Sequence, residues 1–394
     1  MTPARTPDER PPDENPFDQQ WVRRALALAR RGQALAHPNP MVGAVVVRGG
    51  RSVGEGFHTY EGVRHAEILA LERAGTRARG ATLYLNFEPC CHRGRTGPCT
   101  DAILAAGIGR VVAAMADPNP LVAGKGFRKL RRAGVEVQVG PGQAEARRLN
   151  EAFAVWIRHR RPMVTLKAAA TLDGRISLVE PGAGRRPRAA GSPAERWISS
   201  EISRRRVQQL RHASDAVLTG VGTVLADDPL LTDRSGRPRR RPLLRVVLDS
   251  GLRLPLGSKL VRSAADDLLV FTLRSPRSAP ARQLAERGVR VLRVPGRRGR
   301  LDLAAVLAAL GRLEVLSLLA EAGAAVNGAL LSGNWIDKVL LFYSPRILAR
   351  PGMPLALAFE PSPHLPAAIS RIELRRSGPD ILLEGYLRDV YRNR

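Results

Sequence analysis

The chain has 394 residues, a length at which two hydrophobic cores are the ordinary arrangement. With 44% hydrophobic and 25% charged residues it is globular in composition, and its longest apolar runs are cut by Arg110, Arg312 and Glu314 before the ~18–20 residues that a membrane helix requires. The formal net charge of +27 comes with only 4% aromatics and with arginines gathered in Pro/Gly-rich loops, so basic residues interleaved with stacking rings, the mark of a nucleic-acid groove, are missing.

Residues 1–16 are rich in proline and charge and lack an apolar signal-peptide core, which predicts a disordered tail and a cytoplasmic protein. From Phe17 apolar residues recur at helical spacing until HPNP at 37–40. MVGAVVVRGGRSVGEGF reads as a hairpin turning at Gly49-Gly50. HAEILALERAG is then a helix, ATLYLNF a buried strand, TDAILAAG a helix, RVVAAMAD a strand, GFRKLRRAG a helix and VEVQVG a strand. EARRLNEAFAVWI reads as one connecting helix. This alternation is that of an α/β layered domain over 17–150, with a linker at 151–161. A second α/β domain over 162–394 starts with the strand MVTLKAAAT and continues through SEISRRRVQQLRHAS, DAVLTG, LLRVVLDS, DLLVFTL and VRVLRV to IDKVLLFYSP, with a mainly parallel sheet and crevices at the strand carboxyl ends. Residues 180–194 read as an inserted basic loop.

All three cysteines lie in EPCCHRGRTGPC at 88–99. Closely spaced cysteines in a reducing compartment point to metal chemistry. A catalytic zinc takes three protein ligands and keeps a fourth position open, and His65, Cys90 and Cys99 supply three. Both HAEIL and PCTDAIL put the ligand at a helix start, where the macrodipole is expected to lower the Cys99 thiol. Two thiolates and one imidazole neutralise one Zn²⁺ per chain. Glu67, two residues after His65, is left as a proton carrier, and H-x-E followed by P-C…C is the signature of hydrolytic zinc deaminases. Eight residues separate Cys90 from Cys99, so the second thiolate comes from a long loop, with Cys91 a bystander. The competing readings are a structural zinc staple, which gives Glu67 no purpose, and a nucleic-acid base deaminase with basic arms, which gives the second domain none.

HPNPMVGAVVV, HAEILAL, EPCCHRGRTGPC and DPNPLVAGKG closely resemble the deaminase half of the bifunctional deaminase–reductase family of riboflavin biosynthesis, and LKAAATLDGRI, WISS, DAVLTGVGTVLADDPLLT, RVVLDS and AEAG follow in that family's order. The resemblance implies a cytidine-deaminase-like first domain, of α/β/α layers, and a second domain similar to dihydrofolate reductase that binds NADPH. It also implies a phosphorylated ribosylaminopyrimidine substrate, deaminated and then reduced from ribosyl to ribityl. No membrane or specific nucleic-acid partner is expected, and a homo-oligomer is left open.

Carried over by position, the resemblance implies NADPH contacts at Ala169, Trp197, Thr223, Asp227, Ser250, Gly323, Ala324, Ala325, Val326, Asn327, Gly328 and Ala329. It implies substrate contacts at Arg211, Leu231, Arg234 and Glu321. Asp227 and Glu321 are the polar groups expected near hydride transfer. On its own residues, the strongest phosphate cradle is EAGAAVNGALL, where a strand ends and Gly323 opens a helix with free N–H groups. The chain departs from the family at Glu195, where a substrate-contacting serine is common, at AGAAVNGA, which lacks a proline and a threonine, and at Gly97, where proline is frequent.

Overall fold

In the computed structural model, which describes residues 15–177, 197–349, 352–357 and 361–392, β1 (Gly43–Arg48) and β2 (Arg51–Phe57) pair antiparallel across Gly49 and Gly50. Both glycines have positive φ, 55° and 73°, the conformation that two-residue hairpin turns demand. β3 (Thr82–Leu85), β4 (Arg110–Ala113) and β5 (Glu136–Val139) complete a sheet of order β2-β1-β3-β4-β5, parallel from β3 onward. These strands belong to the first of two units, which ends at Ala154.

Alternation along the strands puts Ala44, Val46, Leu83 and Leu85 in one core with α2 (Ala66–Ala74), α3 (Cys99–Ala105) and α4 (Lys125–Arg132). Tyr84 points the other way, against Trp21 of α1 (Pro16–Arg30). The result is an α/β/α sandwich. One close seam lies between α2 and β2: a Cβ at Gly54 or Gly56 would meet the carbonyl oxygens of Ala70 or Ala66 at 2.1 and 2.3 Å. Those two glycines let the helix that starts at His65 lie flat on the sheet.

The connecting helix of the sequence reading is two helices, α5 (Gln143–Leu149) and α6 (Glu151–His159). Asn150 breaks it: its side chain accepts from the Met41 N–H (2.8 Å) and donates to the Met41 carbonyl (3.0 Å), a local alternative to helical bonding.

Asp18, fully buried in α1, takes both Arg110 Nη groups at 2.8 Å and the Tyr84 hydroxyl at 2.8 Å. Burial pushes its carboxyl up, but the Arg110 and Tyr84 hydrogen bonds overcome this and hold it below the ordinary carboxylate range. A carboxyl lowered in the folded state stabilises fully above its unfolded pKa and loses that contribution as pH falls through the folded value. Asp18→Asn is therefore expected to lose about 3 kcal/mol at neutral pH, with the gap to the parent closing in acid. Urea melts at neutral and acid pH check this; a deficit equal at both assigns it to packing.

The second unit begins at Val155. Its strands are β6 (Met163–Thr171), β7 (Arg175–Ser177), β8 (Ala216–Gly220), β9 (Leu244–Leu248), β10 (Leu268–Thr272), β11 (Val289–Arg293), β12 (Gly296–Arg297), β13 (Arg300–Leu301), β14 (Ser317–Ala320), β15 (Lys338–Ser344), β16 (Met353–Pro354), β17 (Ser370–Ser377) and β18 (Asp380–Tyr386). Nine of them form a sheet of order β11-β10-β9-β8-β14-β6-β15-β18-β17, parallel up to β15 and antiparallel at β18 and β17. Its helices are α7 (Glu201–Ala213), α8 (Val221–Asp227), α9 (Lys259–Arg262), α10 (Ala279–Ala285), α11 (Leu303–Arg312) and α12 (Ala324–Ser332). Leu218, Val246, Leu269 and Phe271 fill one core and Val217, Val247, Leu268 and Val270 another, so the parallel strands are covered on both faces. The hairpin β17–β18 escapes the sequence reading because RIELRRS hides its alternation under charge. Residues 1–14, the loop 180–194 and Glu195 lie outside the described residues. No helix among the described residues is long and apolar enough to cross a membrane.

Candidate active sites

His65 is the N-cap of α2 and Cys99 the first residue of α3, while Cys90 lies in the loop that β3 delivers. The seam between α2 and β2 and the end of β3 thus bring the three together. His65 Nδ1 stands 3.1 Å from Cys99 Sγ and 3.5 Å from Cys90 Sγ, and the three donor atoms all lie within 4.8 Å of one another. A tetrahedral zinc with ordinary bond lengths separates nitrogen from sulfur by about 3.6 Å, so this donor set fits zinc in both chemistry and size. The Cys99 N–H donates to Cys90 Sγ at 3.3 Å. The Cys99 side chain, with His65 assisting, draws the Cys90 thiol down to about 4, which makes Cys90 the ready thiolate. The hydrogen bond to Cys90 and burial push the Cys99 thiol up, and the charge of a bound zinc would act in the opposite sense.

Glu67, 3% exposed, sits on the first turn of α2 beside this cluster. Burial above all, with the Cys90 charge adding, pushes its carboxyl up to about 7. Three further residues, missed by the sequence reading, support the site. His58 is buried edge-to-face on the His65 ring at 5.3 Å, its Nδ1 against the Arg64 carbonyl (3.0 Å) and its Nε2 against Asn39 Nδ2 (2.9 Å). Glu88 accepts backbone N–H groups of Asp117, Gly124, Gly126 and Phe127 at 2.8–3.3 Å and so ties the 117–127 loop to the stretch before Cys90. The signal for these was a polar residue in each of HPNP, GFHTY and NFEPC. Cys91 is not part of the three-residue cluster.

In the second unit, β8 and β14 are parallel neighbours, and each runs into a helix at its carboxyl end, α8 after Gly220 and α12 after Gly323. Neither helix start has a capping side chain. The two come close: a Cβ on Gly220 would meet Val326 Cγ2 at 2.8 Å, and one on Gly323 would meet Thr223 Oγ1 at 3.4 Å. Two uncapped helix starts and a hydroxyl fit the pyrophosphate of a dinucleotide. Thr223 and Gly323 to Val326 are thereby gathered. Asn327 and Gly328 face elsewhere: Asn327 Nδ2 donates to the Leu355 carbonyl (2.8 Å), and a Cβ on Gly328 would meet the Leu357 oxygen at 1.9 Å. Ala169 lies on β6 and Ala329 within α12; Ser250, just past β9, accepts the Thr272 hydroxyl at 3.1 Å on its carbonyl. Asp227 is exposed at the end of α8, and Trp197, 55% exposed, carries the Arg204 guanidinium 5.1 Å above its ring.

Of the four expected substrate positions, Arg211 and Glu321 meet directly. Glu321 accepts Arg211 Nε at 2.7 Å and Nη2 at 3.2 Å, and Arg211 Nη1 donates to the Thr232 carbonyl at 3.1 Å, next to Leu231 and Arg234. The Leu231 side chain is buried in the core, whereas Arg234 is exposed. Lys167 of β6 joins this group, its Nζ 3.5 Å from Glu321 Oε2. Burial pushes the Glu321 carboxyl up, but the Lys167 and Arg211 charges outweigh it and keep it below the ordinary range. The sequence signal for Lys167 was a lone lysine in the apolar strand MVTLKAAAT.

Residues 162–383 match the family model described as RibD C-terminal domain, and residues 15–115 match the cytidine and deoxycytidylate deaminase zinc-binding region. The riboflavin biosynthesis protein RibD of Aquifex aeolicus is 42% identical over 84% of this chain and 88% of its own length; that of Escherichia coli is 38% identical over 93% and 98%. The chain belongs to the RibD family. Among solved structures, Acinetobacter baumannii RibD superposes with a TM-score of 0.79 at 34% identity, covering 94% of this chain and 98% of that one. A Thermotoga maritima diaminohydroxyphosphoribosylaminopyrimidine deaminase/5-amino-6-(5-phosphoribosylamino)uracil reductase gives 0.77 at 34% identity with the same coverage. As a RibD, the protein is a two-activity enzyme of riboflavin biosynthesis, a zinc deaminase of cytidine-deaminase type joined to an NADPH-dependent reductase similar in fold to dihydrofolate reductase. The nucleic-acid deaminase and the zinc staple are not favoured.

Proposed function

We propose that residues 17–150 hydrolyse the exocyclic amine of diaminohydroxyphosphoribosylaminopyrimidine and that residues 162–394, after a linker at 151–161, reduce the ribosyl group of 5-amino-6-(5-phosphoribosylamino)uracil to ribityl. The observation that carries the first half is the buried Glu67 carboxyl beside the His65, Cys90 and Cys99 donor set. These three hold zinc, which when bound supplies the Lewis acidity that brings a water within reach of ionisation near neutral pH. Glu67 takes the proton of the attacking water and passes it to the departing amine, which leaves as ammonia. His58 and Asn39 hold the His65 ring in place.

In the reductase, the paired starts of α8 and α12 would hold the pyrophosphate of NADPH, which would supply the hydride when bound. The opened sugar needs one proton on its ring oxygen. Lys167, whose Nζ lies 3.5 Å from the Glu321 carboxylate that also pairs with Arg211, is the group placed to give it. Arg234, exposed two residues past the Thr232 carbonyl that Arg211 holds, is the group for the substrate phosphate. The scattered loop arginines serve no specific nucleic acid, and the enzyme works in the cytoplasm, with self-association open. The test is incubation of the full chain with the phosphorylated diaminopyrimidine, with and without NADPH, followed by product mass. One ammonia is released without NADPH, and two hydrogens are gained only with it; hydrogen gain without prior loss of the amine would overturn the order of the two steps.

A further inference from the structure

The loop that follows α8 carries Leu231 at φ 53°, left-handed for a residue with a branched side chain. Such a conformation is strained and persists only where the surroundings over-determine it. Two things hold it. The side chain is sunk in the core, 4% exposed, and the backbone just beyond is gripped by the last turn of α7. Two consecutive helix residues seize two consecutive loop residues: Arg211 Nη1 binds the Thr232 carbonyl at 3.1 Å, and His212 Nδ1 binds Asp233 Oδ2 at 3.0 Å. The same Asp233 oxygen takes Arg239 Nη1 at 3.0 Å, and its other oxygen takes the Ser235 N–H at 2.9 Å. Arg239 returns to the helix end, with Nη2 on the Ser214 carbonyl (2.8 Å) and Nη1 on the Arg211 carbonyl (3.4 Å).

Asp233 is the hub of this ring. It is 7% exposed in side chain, His212 4% and Arg239 15%, so the ring is desolvated. An ionised carboxylate only accepts, which fixes the proton of His212 on Nδ1. Asp233 directly precedes the arginine-rich stretch 234–241. Its neighbours on either side of the gripped pair are Leu231, with its strained backbone, and Arg234, whose N–H is caught by Gln208 Oε1 at 3.0 Å while its side chain is left exposed.

We propose that Asp233 is a positioning residue of the reductase: through His212 and Arg239 it locks the 231–234 segment against α7, so that the Leu231 backbone and the Arg234 guanidinium are set for the phosphoribosyl substrate before it arrives. The inference rests on the assignment of Leu231 and Arg234 to substrate binding. A preset loop lowers the ordering cost of binding and leaves the hydride step alone.

Steady-state kinetics of the full chain test it, with 5-amino-6-(5-phosphoribosylamino)uracil and NADPH varied separately. Asp233→Ala is expected to raise the KM for the phosphoribosyl substrate about tenfold, with kcat within about threefold and the KM for NADPH unchanged. Ammonia release from the diamino substrate, measured on the same sample, stays at the parent rate. His212→Ala, which keeps the Asp233–Arg239 pair, is expected to give a smaller rise, about threefold, and it decides the matter should Asp233→Ala fail to fold. Arg234→Ala is run beside them. If it raises the substrate KM while the Asp233 and His212 variants leave it unchanged, the clamp is overturned and the substrate assignment stands. If Arg234→Ala leaves it unchanged too, the assignment fails and the clamp falls with it. A KM for NADPH that rises as much as that for the substrate would show general loosening of the unit and also sinks the proposal.

Discussion

Glu67→Gln keeps its zinc but deaminates about 10² to 10⁴ times more slowly, the loss expected when a general acid–base is removed from an otherwise intact centre. The substitution preserves size in a position that is 3% exposed, so the core around α2 is undisturbed. Glutamine cannot take a proton from water and return it to a leaving amine. The metal stays because His65, Cys90 and Cys99 supply the three donor atoms, and the one contact between them and this side chain, the hydrogen bond of Glu67 with Cys99, is one that glutamine can also make. NADPH oxidation with the already deaminated substrate is expected at the parent rate, since Glu67 belongs to the first unit's core. The paired assay is ammonia from the diamino substrate and absorbance loss of NADPH with the deaminated one, alongside metal analysis. Loss of both activities in a folded, metallated variant would mean that the reactions do not run at separate centres.

Lys167→Met should do the reverse, lowering NADPH oxidation by about 10² to 10⁴ while ammonia release is untouched. Methionine matches the lysine stem in volume and shape, and Glu321 keeps its two-point pairing with Arg211, so removing the amine leaves the carboxylate paired. The expected signature is a fall in kcat with little change in the KM for NADPH. A variant that kept kcat and raised only the substrate KM would make Lys167 a binding group, and the proton would have to come from elsewhere. Glu321→Gln provides the cross-check. It leaves Lys167 and Arg211 without their common counter-ion, so it is expected to lower thermal stability as well as reduction, whereas Lys167→Met lowers reduction alone.

Much of the deaminase centre was legible because its parts are local. A histidine before a helical run, a glutamate two residues on, and a proline–cysteine pair each carry their geometry with them, since a helix start presents its first residues in a set way. The hairpin at Gly49-Gly50 and the alternation of strand and helix were legible for the same reason: turn chemistry and hydrophobic period act over a few residues. The reading went wrong where a distant group overruled a local rule. Asn150 sits inside a helical pattern and breaks it because Met41, far off in sequence, offers its backbone.

The sequence alone was enough for the two α/β halves, whose periodicity depends on neighbours along the chain, and it pointed to His65, Glu67, Cys90 and Cys99, whose three donor atoms the fold then brings within 4.8 Å of one another. Only the tertiary structure decided what shares a pocket in the second half. β6, β8 and β14 lie side by side in the sheet although the chain visits them far apart, and this adjacency is what carries Lys167 to Glu321 and α12 to α8. The grip of Arg211 and His212 on Thr232 and Asp233 arises in the same way, from packing across about twenty residues of intervening chain that no local period encodes.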